Sequence, residues 1–144
     1  MIRFIQEEDT PAVMELLKTL KPSQEVVGKK LSDEIGRLTA IDHMRLIGFE
    51  SDDKIVGMCT LIRNEGLSYG GRPFAVIENV VVNEDYQGKG IGKKVVSHAI
   101  ELAKEWNCYK VILETGSKEE WKLQFYESCG LERGFKTAFI RTFE

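Results

Sequence analysis

The feature that most constrains this chain is a cluster of alternating glycines between a strand-like apolar run and a strongly periodic helical segment. The glycines are Gly88, Gly90 and Gly92, and the apolar run before them covers residues 74–82. Glycine allows a backbone to approach a ligand closely, because no side chain stands in the way. The first turn of the following helix leaves N–H groups without internal partners, and the helix dipole adds positive charge there. Strand, glycine loop and helix together predict a site for an anion, most naturally a phosphate.

The rest of the chain has the residue patterns of a mixed α/β sheet. Hydrophobic periodicity, turn residues and helix caps predict the order β-α-α-β-β-β-α-β-α-β. The run 74–82 is the most apolar strand and fits a central position, covered on both faces. Because a helix connects it to the strand at 109–114, these two strands should be parallel neighbours. The predicted elements are strands at 1–5, 46–50, 55–63, 74–82, 109–114 and 136–143, and helices at 10–20, 27–38, 91–107 and 117–128.

Cap and turn residues set some of these boundaries. Thr10 offers an N-cap oxygen before Pro11, and Ser117 and Glu120 form the two ends of a capping box. The polar stretch at 51–54 predicts a tight hairpin between two strands.

Length and composition are those of an ordinary globular domain. The 144 residues contain 42% hydrophobic and 30% charged residues, without a repeat or a linker, so we expect a single domain over 1–144. The net charge of −3, with scattered lysines, gives no basic stripe and argues against a nucleic-acid partner. We find neither a membrane-spanning run nor a secretory signal, so the cytoplasm is the expected location.

Cysteine and histidine usage argues against a metal site. Cys59, Cys108 and Cys129 are widely separated along the chain, and the histidines are His43 and His98. This spacing differs from that of zinc sites, so we expect no metal ion and reduced thiols.

Two common phosphate loops do not match the glycine cluster. The P-loop pattern fails because Gly88 and Gly92 lie too close together and Lys94 replaces the required Ser or Thr. The dinucleotide-binding fingerprint needs a third glycine where Lys93 stands, although Glu114 could serve as its ribose-binding acid. A glycine turn that binds no ligand also stays open as an interpretation.

A third interpretation is the pattern Gln-x-x-Gly-x-Gly, formed by Gln87, Gly90 and Gly92. This segment resembles the acyl-coenzyme A pyrophosphate loop of the GNAT superfamily of N-acetyltransferases. The sequence Phe-Tyr-Glu-Ser-Cys-Gly at 125–130 is similar to the family's segment near the end of its fourth helix, and the predicted element order matches. The resemblance covers 74–130 by sequence and the amino-terminal half by topology. It implies an acetyl-CoA-dependent transferase with the GNAT fold.

Within the superfamily, the segments 77–82 and 108–113 resemble the glucosamine-phosphate N-acetyltransferases. Two departures accompany this similarity. Asn79 stands where those enzymes have a second acid, and 117–124 lacks the asparagine that contacts the cofactor arm in many members. Thr115 or Ser117 could take over that contact.

The resemblance also implies where the cofactor binds. The backbone of Val80 and Val82 would pair with the pantetheine arm, along a strand segment that includes Val81. An N–H at or near Val80 would hold the thioester oxygen. The N–H groups that would bind the pyrophosphate belong to Gln87, Gly88, Lys89, Gly90, Ile91, Gly92 and Lys93.

Two residues are predicted to carry the chemistry. Glu78 is the one charged residue in its strand, and burial should raise the pKa of its carboxyl so that it can accept a proton from an amine. Strand alternation should place its side chain on one face with Val76, Val80 and Val82. By the family match, Tyr126 would give a proton to the leaving thiolate. Each has a structural alternative: a carboxylate paired at a strand splay for Glu78, and core packing for Tyr126.

The resulting prediction is direct acetyl transfer from acetyl-CoA to the primary amine of a small molecule, with an amino sugar phosphate as one acceptor class. A non-catalytic acyl-CoA-binding sensor and a transferase acting on protein amines are the alternatives. Neither nucleic acid nor a membrane is expected as a partner. After Gly130 the chain has room for one long strand or two very short ones, where the superfamily has two. Strand exchange or edge pairing in a homodimer is therefore a further hypothesis.

Overall fold

The computed structural model describes residues 1–143. It contains two compact units, Met1–Leu113 and the residues from Glu114 onward. The first unit holds the whole sheet and the first three α-helices, and the second unit holds the last helix.

A five-stranded mixed sheet forms the centre of the first unit, so the predicted fold class is confirmed. The strands are β1 (Ile2–Phe4), β2 (Met44–Ser51), β3 (Lys54–Asn64), β4 (Phe74–Val82) and β5 (Val111–Leu113). They lie side by side in chain order, and each pair is antiparallel except β4 and β5, which are parallel as predicted. The helices of this unit are α1 (Thr10–Leu20), α2 (Gly28–Thr39) and α3 (Ile91–Glu105).

Helix α1 begins after a short 3₁₀ turn that ends at Asp9. The Asp9 carboxylate accepts a hydrogen bond from Gln6 N–H at 2.8 Å, and Arg3 binds both of its oxygens at 2.8 Å. The N-cap residue is therefore Asp9 and not Thr10, because Thr10 already has helical backbone angles. The hydrogen bonds from Arg3 also keep the pKa of the Asp9 carboxyl below its usual range.

Helices α1 and α2 cover one face of the sheet, and α3 covers the other. On the first face the apolar core joins Ile5, Val13, Leu16, Ile35, Ile55, Met58 and Val81. On the second face Cys59 Sγ lies 3.8 Å from the carbonyl oxygen of Val95, in α3. A Cβ atom at Gly57 would lie 2.7 Å from the side chain of Ile91, so glycine at this position lets α3 lie close to the sheet.

The second unit contains α4 (Glu120–Ser128), which begins later than the predicted capping box requires. Ser117 Oγ accepts a hydrogen bond from Glu119 N–H at 3.2 Å and so closes a turn ahead of the helix. Arg133 binds the Glu120 carboxylate and lies 3.1 Å from that of Glu127, which ties the chain after the helix back to it. The helix ends before Gly130, whose φ of +94° is the expected conformation for a glycine stop.

The predicted final strand at 136–143 is wrong, since no strand is assigned in the described part of the second unit. Alternating side chains favour a strand, but a strand also needs a neighbour for its backbone N–H and C=O groups. The segment instead leaves large apolar side chains in solvent, with Phe139 94% and Phe143 84% exposed.

Candidate active site

The carboxyl-terminal half of β4 lacks a neighbouring strand on one side. Strand β5 pairs with β4 over Ala75–Ile77 and ends at Leu113, whereas β4 continues to Val82. Within residues 1–143, no strand pairs with 78–82 on that side. Unpaired N–H and C=O groups along a strand edge can bind an extended ligand as if it were another strand.

A β-bulge lies at the point where this unpaired edge begins. Glu78 pairs with Thr60 and Val81 pairs with Met58, so β4 has one more residue than β3 between these pairs. Asn79 takes up the extra residue with a φ of +55°, a left-handed conformation that asparagine tolerates better than most residues.

Val76 shares a face with Glu78 as expected, but the bulge changes the alternation along the part of β4 that follows Glu78. Val82 pairs with Gly57, on the α3 face, whereas Glu78 pairs with Thr60, on the face of α1 and α2. Glu78 therefore does not share a face with Val82, because the additional residue reverses the order of the faces. Its expected burial is also wrong, since the Glu78 side chain is exposed.

The turn between β4 and α3 is held by polar side chains. Asn83 is 5% exposed; its Nδ2 donates to Glu15 Oε1 in α1 at 3.0 Å, and its Oδ1 accepts from Asp85 N–H at 2.9 Å. Gln87 Nε2 donates to the carbonyl of Val82 at 3.1 Å. These bonds end the strand and fix the direction in which the chain enters the glycine loop.

The glycine loop leaves its backbone uncovered. Gly88 and Gly90 both have a φ of +78°, and a Cβ atom at either position would meet nothing within 4 Å. Gly90 is the N-cap residue of α3, has no side-chain cap, and accepts the hydrogen bond of Lys94 N–H at 3.1 Å. The N–H groups of the first turn, which includes Gly92, therefore face beyond the helix end, where its dipole favours an anion.

Cationic side chains lie close to this loop in the sequence and are exposed: Lys89, Lys93 and Lys94. Lys89 Nζ lies 5.1 Å from the centre of the Tyr86 ring, and Lys94 Nζ lies 5.4 Å from that of Phe49. The Tyr86 hydroxyl in turn donates to the Asp52 carboxylate, at the tip of the β2–β3 hairpin. Neither Tyr86 nor Asp52 was predicted as a site residue.

The remaining predicted residue, Tyr126, lies on α4 in the second unit. Its ring is half-buried and meets the ring of Phe125 edge to face, with centroids 5.0 Å apart. Thr115 and Ser117, the proposed substitutes for the missing asparagine, accept hydrogen bonds from nearby backbone N–H groups at 3.2 Å. Their hydroxyl hydrogens remain available for donation to a ligand.

The comparison with known proteins shows the family of this chain. The model of the Acetyltransferase (GNAT) family matches residues 10–131 of this chain. The chain belongs to the GNAT family. It is an acetyl-CoA-dependent N-acetyltransferase, since GNAT acetyltransferases use acetyl-CoA as cosubstrate, and the resemblance seen in the sequence is confirmed.

Individual GNAT relatives agree with this assignment. The chain is 31% identical over 131 residues to the glucosamine 6-phosphate N-acetyltransferase of Trypanosoma brucei brucei, over 90% of this chain and 86% of that protein. It superposes on the glucosamine-6-phosphate N-acetyltransferase of Arabidopsis thaliana with a TM-score of 0.86 and 25% identity, over 99% and 97% of the two chains. A Trypanosoma brucei acetyltransferase gives a TM-score of 0.83 at 28% identity, over 99% of each chain.

Two observations concern the whole of the described GNAT chain. None of its helices is both long and apolar enough to cross a membrane. No group of three or more His, Cys, Asp or Glu side chains within residues 1–143 is arranged to hold a metal ion.

Proposed function

We propose that this enzyme transfers an acetyl group directly from acetyl-CoA to the primary amine of an amino sugar phosphate. The observation that carries the proposal is the β4 edge without a second partner strand among the described residues, followed in the chain by the uncovered glycine loop and the uncapped N-terminus of α3. The acceptor class is supported by the two relatives named glucosamine 6-phosphate N-acetyltransferase, which are 31% and 25% identical to this chain.

The residues of this edge and loop fit acetyl-CoA. The backbone groups of Val80 and Val82 would pair with the pantetheine arm at the unpaired edge. Val81 would contribute only its backbone, because its side chain is 7% exposed within the core. The diphosphate would lie against the amides of Gln87, Gly88, Lys89, Gly90, Ile91, Gly92 and Lys93, where the open space around the glycines admits it.

The proton acceptor in this proposal is Glu78. An alkyl amine is almost fully protonated at neutral pH, so it must lose a proton before its nitrogen can attack the thioester. Glu78 lies beside the bulge at the start of the unpaired edge, and its exposed carboxylate can receive that proton directly or through a bridging water. An N–H at or near Val80 would stabilise the oxyanion that forms on the thioester carbonyl.

The proton donor in this proposal is Tyr126. As the new C–N bond forms and the C–S bond breaks, the departing thiolate takes a proton, and a phenol has a pKa close enough to supply it. The packing of the Tyr126 ring against Phe125 supports an ordered side chain. An acyl-enzyme on Cys59 is disfavoured, because burial raises the pKa of its thiol to about 12.

Thiol release from acetyl-CoA tests this function. We expect release with glucosamine 6-phosphate and much slower release with glucosamine, which differs by the phosphate alone. Release with peptide amines and not with amino sugars would favour a protein acetyltransferase. If the protein binds CoA but releases thiol with none of these amines, it is an acyl-CoA sensor and the proposal is wrong.

We further propose that the enzyme forms a homodimer through its carboxyl-terminal segment. Four large apolar side chains there are exposed, namely Phe135, Phe139, Ile140 and Phe143. A second copy of the chain could cover them and supply the strand partner that residues 136–143 lack. Sedimentation as a monomer at assay concentrations would rule this out.

The cytoplasmic location stays a prediction, supported by cysteines that form no disulfide in the described chain.

A further inference from the structure

We propose that Tyr86 and Asp52 act as a positioning pair that holds the glycine loop ready for the diphosphate of CoA. The inference rests on the proposed role of this loop in cofactor binding. It concerns residues outside the predicted set, and it assigns a role in binding to the tip of the β2–β3 hairpin.

Asp52 is a fixed point in the first unit. It follows Ser51, which pairs with Lys54 in the last pair of the hairpin, and Asp52 and Asp53 have φ values of +51° and +61°. Two successive left-handed residues in a two-residue connection are the mark of a type I′ turn, whose twist matches that of the strands. The Asp52 carboxylate is therefore carried by one of the tightest connections of the sheet.

Tyr86 connects this fixed point to the loop. It is the last residue of the 3₁₀ turn Glu84–Tyr86, and its hydroxyl donates to the Asp52 carboxylate. This bond raises the pKa of the Tyr86 hydroxyl, as expected when the phenol donates to an anion. The Tyr86 ring also lies below Lys89 Nζ, so the same residue orders a cation next to Gly88 and Gly90.

The flexibility of the glycines explains why an anchor next to the loop would favour binding. Glycines gain freedom in the unbound loop, and ordering them on binding costs affinity unless neighbouring residues are already held in place. At its start the loop is held by Asn83, which binds Glu15, and at its end by α3. The bond from Tyr86 to Asp52 is an additional tie to the sheet, directly ahead of the glycines.

The test compares matched variants of the full-length protein in titrations with CoA, followed by NMR spectra of the loop amides. Tyr86→Phe removes the hydroxyl and keeps the ring below Lys89. Asp52→Asn removes the charge and keeps a residue that tolerates a positive φ. Asp53→Asn makes the same change at the next position of the same turn and is the control. We expect the Kd for CoA to rise on the order of fivefold in Tyr86→Phe and to stay unchanged in the control. The rise in Asp52→Asn should be smaller, because the amide oxygen still accepts from the Tyr86 hydroxyl but without the charge.

Kinetic measurements separate positioning from a merely structural role. With an active acceptor, Tyr86→Phe should raise KM for acetyl-CoA and leave kcat unchanged. KM for S-acetylpantetheine, which lacks the diphosphate, should not change, and adding Asp52→Asn to Tyr86→Phe should give no further increase. Equal increases for both thioesters, or an unchanged Kd for CoA in Tyr86→Phe, would overturn the pair and leave the proposed function standing. If the wild-type loop does not respond to CoA at all, both proposals fail together.

Discussion

The two halves of β4 both contain several apolar residues, but their surroundings differ. Residues 75–77 are paired on both sides, by β3 and β5, and Ala75 and Ile77 are fully buried. Residues 78–82 are paired with β3 alone among the described strands, and they begin with a bulge and two exposed polar side chains. We therefore expect the first half to stabilise the sheet and the second half to offer its backbone to a ligand.

The largest effect on activity should come from Glu78, the first residue of the half of β4 that is paired on one side only. Glu78→Gln should lower kcat about 10²-fold or more at neutral pH, because the variant lacks the proton acceptor for the amine. The deficit should shrink as the pH approaches 10, where amines lose the proton without help. Thiol-release kinetics measure both effects, and Glu84→Gln, an exposed carboxylate just after the strand, is the control. A wild-type rate for Glu78→Gln at pH 7 would show that Glu78 is not the base.

Substitutions in the half of β4 that is paired on both sides should instead lower the stability of the fold. Ile77→Ala should lower the free energy of unfolding by about 2–5 kcal/mol, because it opens a cavity beside two paired strands. Val80→Ala, in the half paired on one side only, should cost clearly less, since Val80 is only half-buried. Urea denaturation followed by circular dichroism gives both values. Equal losses at the two positions would remove the proposed distinction between the halves.

A substitution in the glycine loop should weaken CoA binding in addition to lowering the stability of the fold. Gly90→Ala and Gly134→Ala both replace a glycine with positive φ in open space, so each should lose about 1–2 kcal/mol of stability. Gly90→Ala alone should weaken CoA binding, on the order of tenfold, because the loop backbone must change where the diphosphate approaches. Calorimetric titration with CoA distinguishes the two variants. Equal affinities would mean that Gly90 serves only the turn.

A substitution at the far edge of the sheet, where Arg3 binds Asp9, should have the smallest effect on CoA binding. Because the folded-state pKa of Asp9 is lowered, its contribution to stability is present above the unfolded pKa and is lost as the pH falls through the folded value. Asp9→Asn should therefore flatten the loss of stability in acid. Thermal melts between pH 7 and pH 2 check this, with CoA affinity at pH 7 expected to be unchanged. A melt profile identical to that of the wild type would contradict it.

Features that depend on neighbouring residues were predicted well from the sequence. The strand at 74–82, the helix start after Gly90 and the hairpin at 51–54 each follow from local patterns of apolar and turn residues, and the structure has all of them. The family motif in the loop was likewise readable, because its glycines lie close together in the chain.

Features that depend on distant pairing were not predictable in the same way. The bulge at Asn79 depends on how β4 aligns with β3, and the bond between Tyr86 and Asp52 joins residues from two separate turns. The segment 136–143 has the side-chain pattern of a strand, but no local signal states whether a partner strand is present.

The central claim is that amides at the open end of α3 bind the diphosphate of CoA. An NMR titration with CoA tests it most directly, with the amides of both halves of β4 observed in the same spectra. The amides of Gly88, Gly90 and Gly92 should shift and reach saturation together, while that of Ala75 stays in place. Saturating CoA that leaves the three glycine amides unmoved would contradict the account.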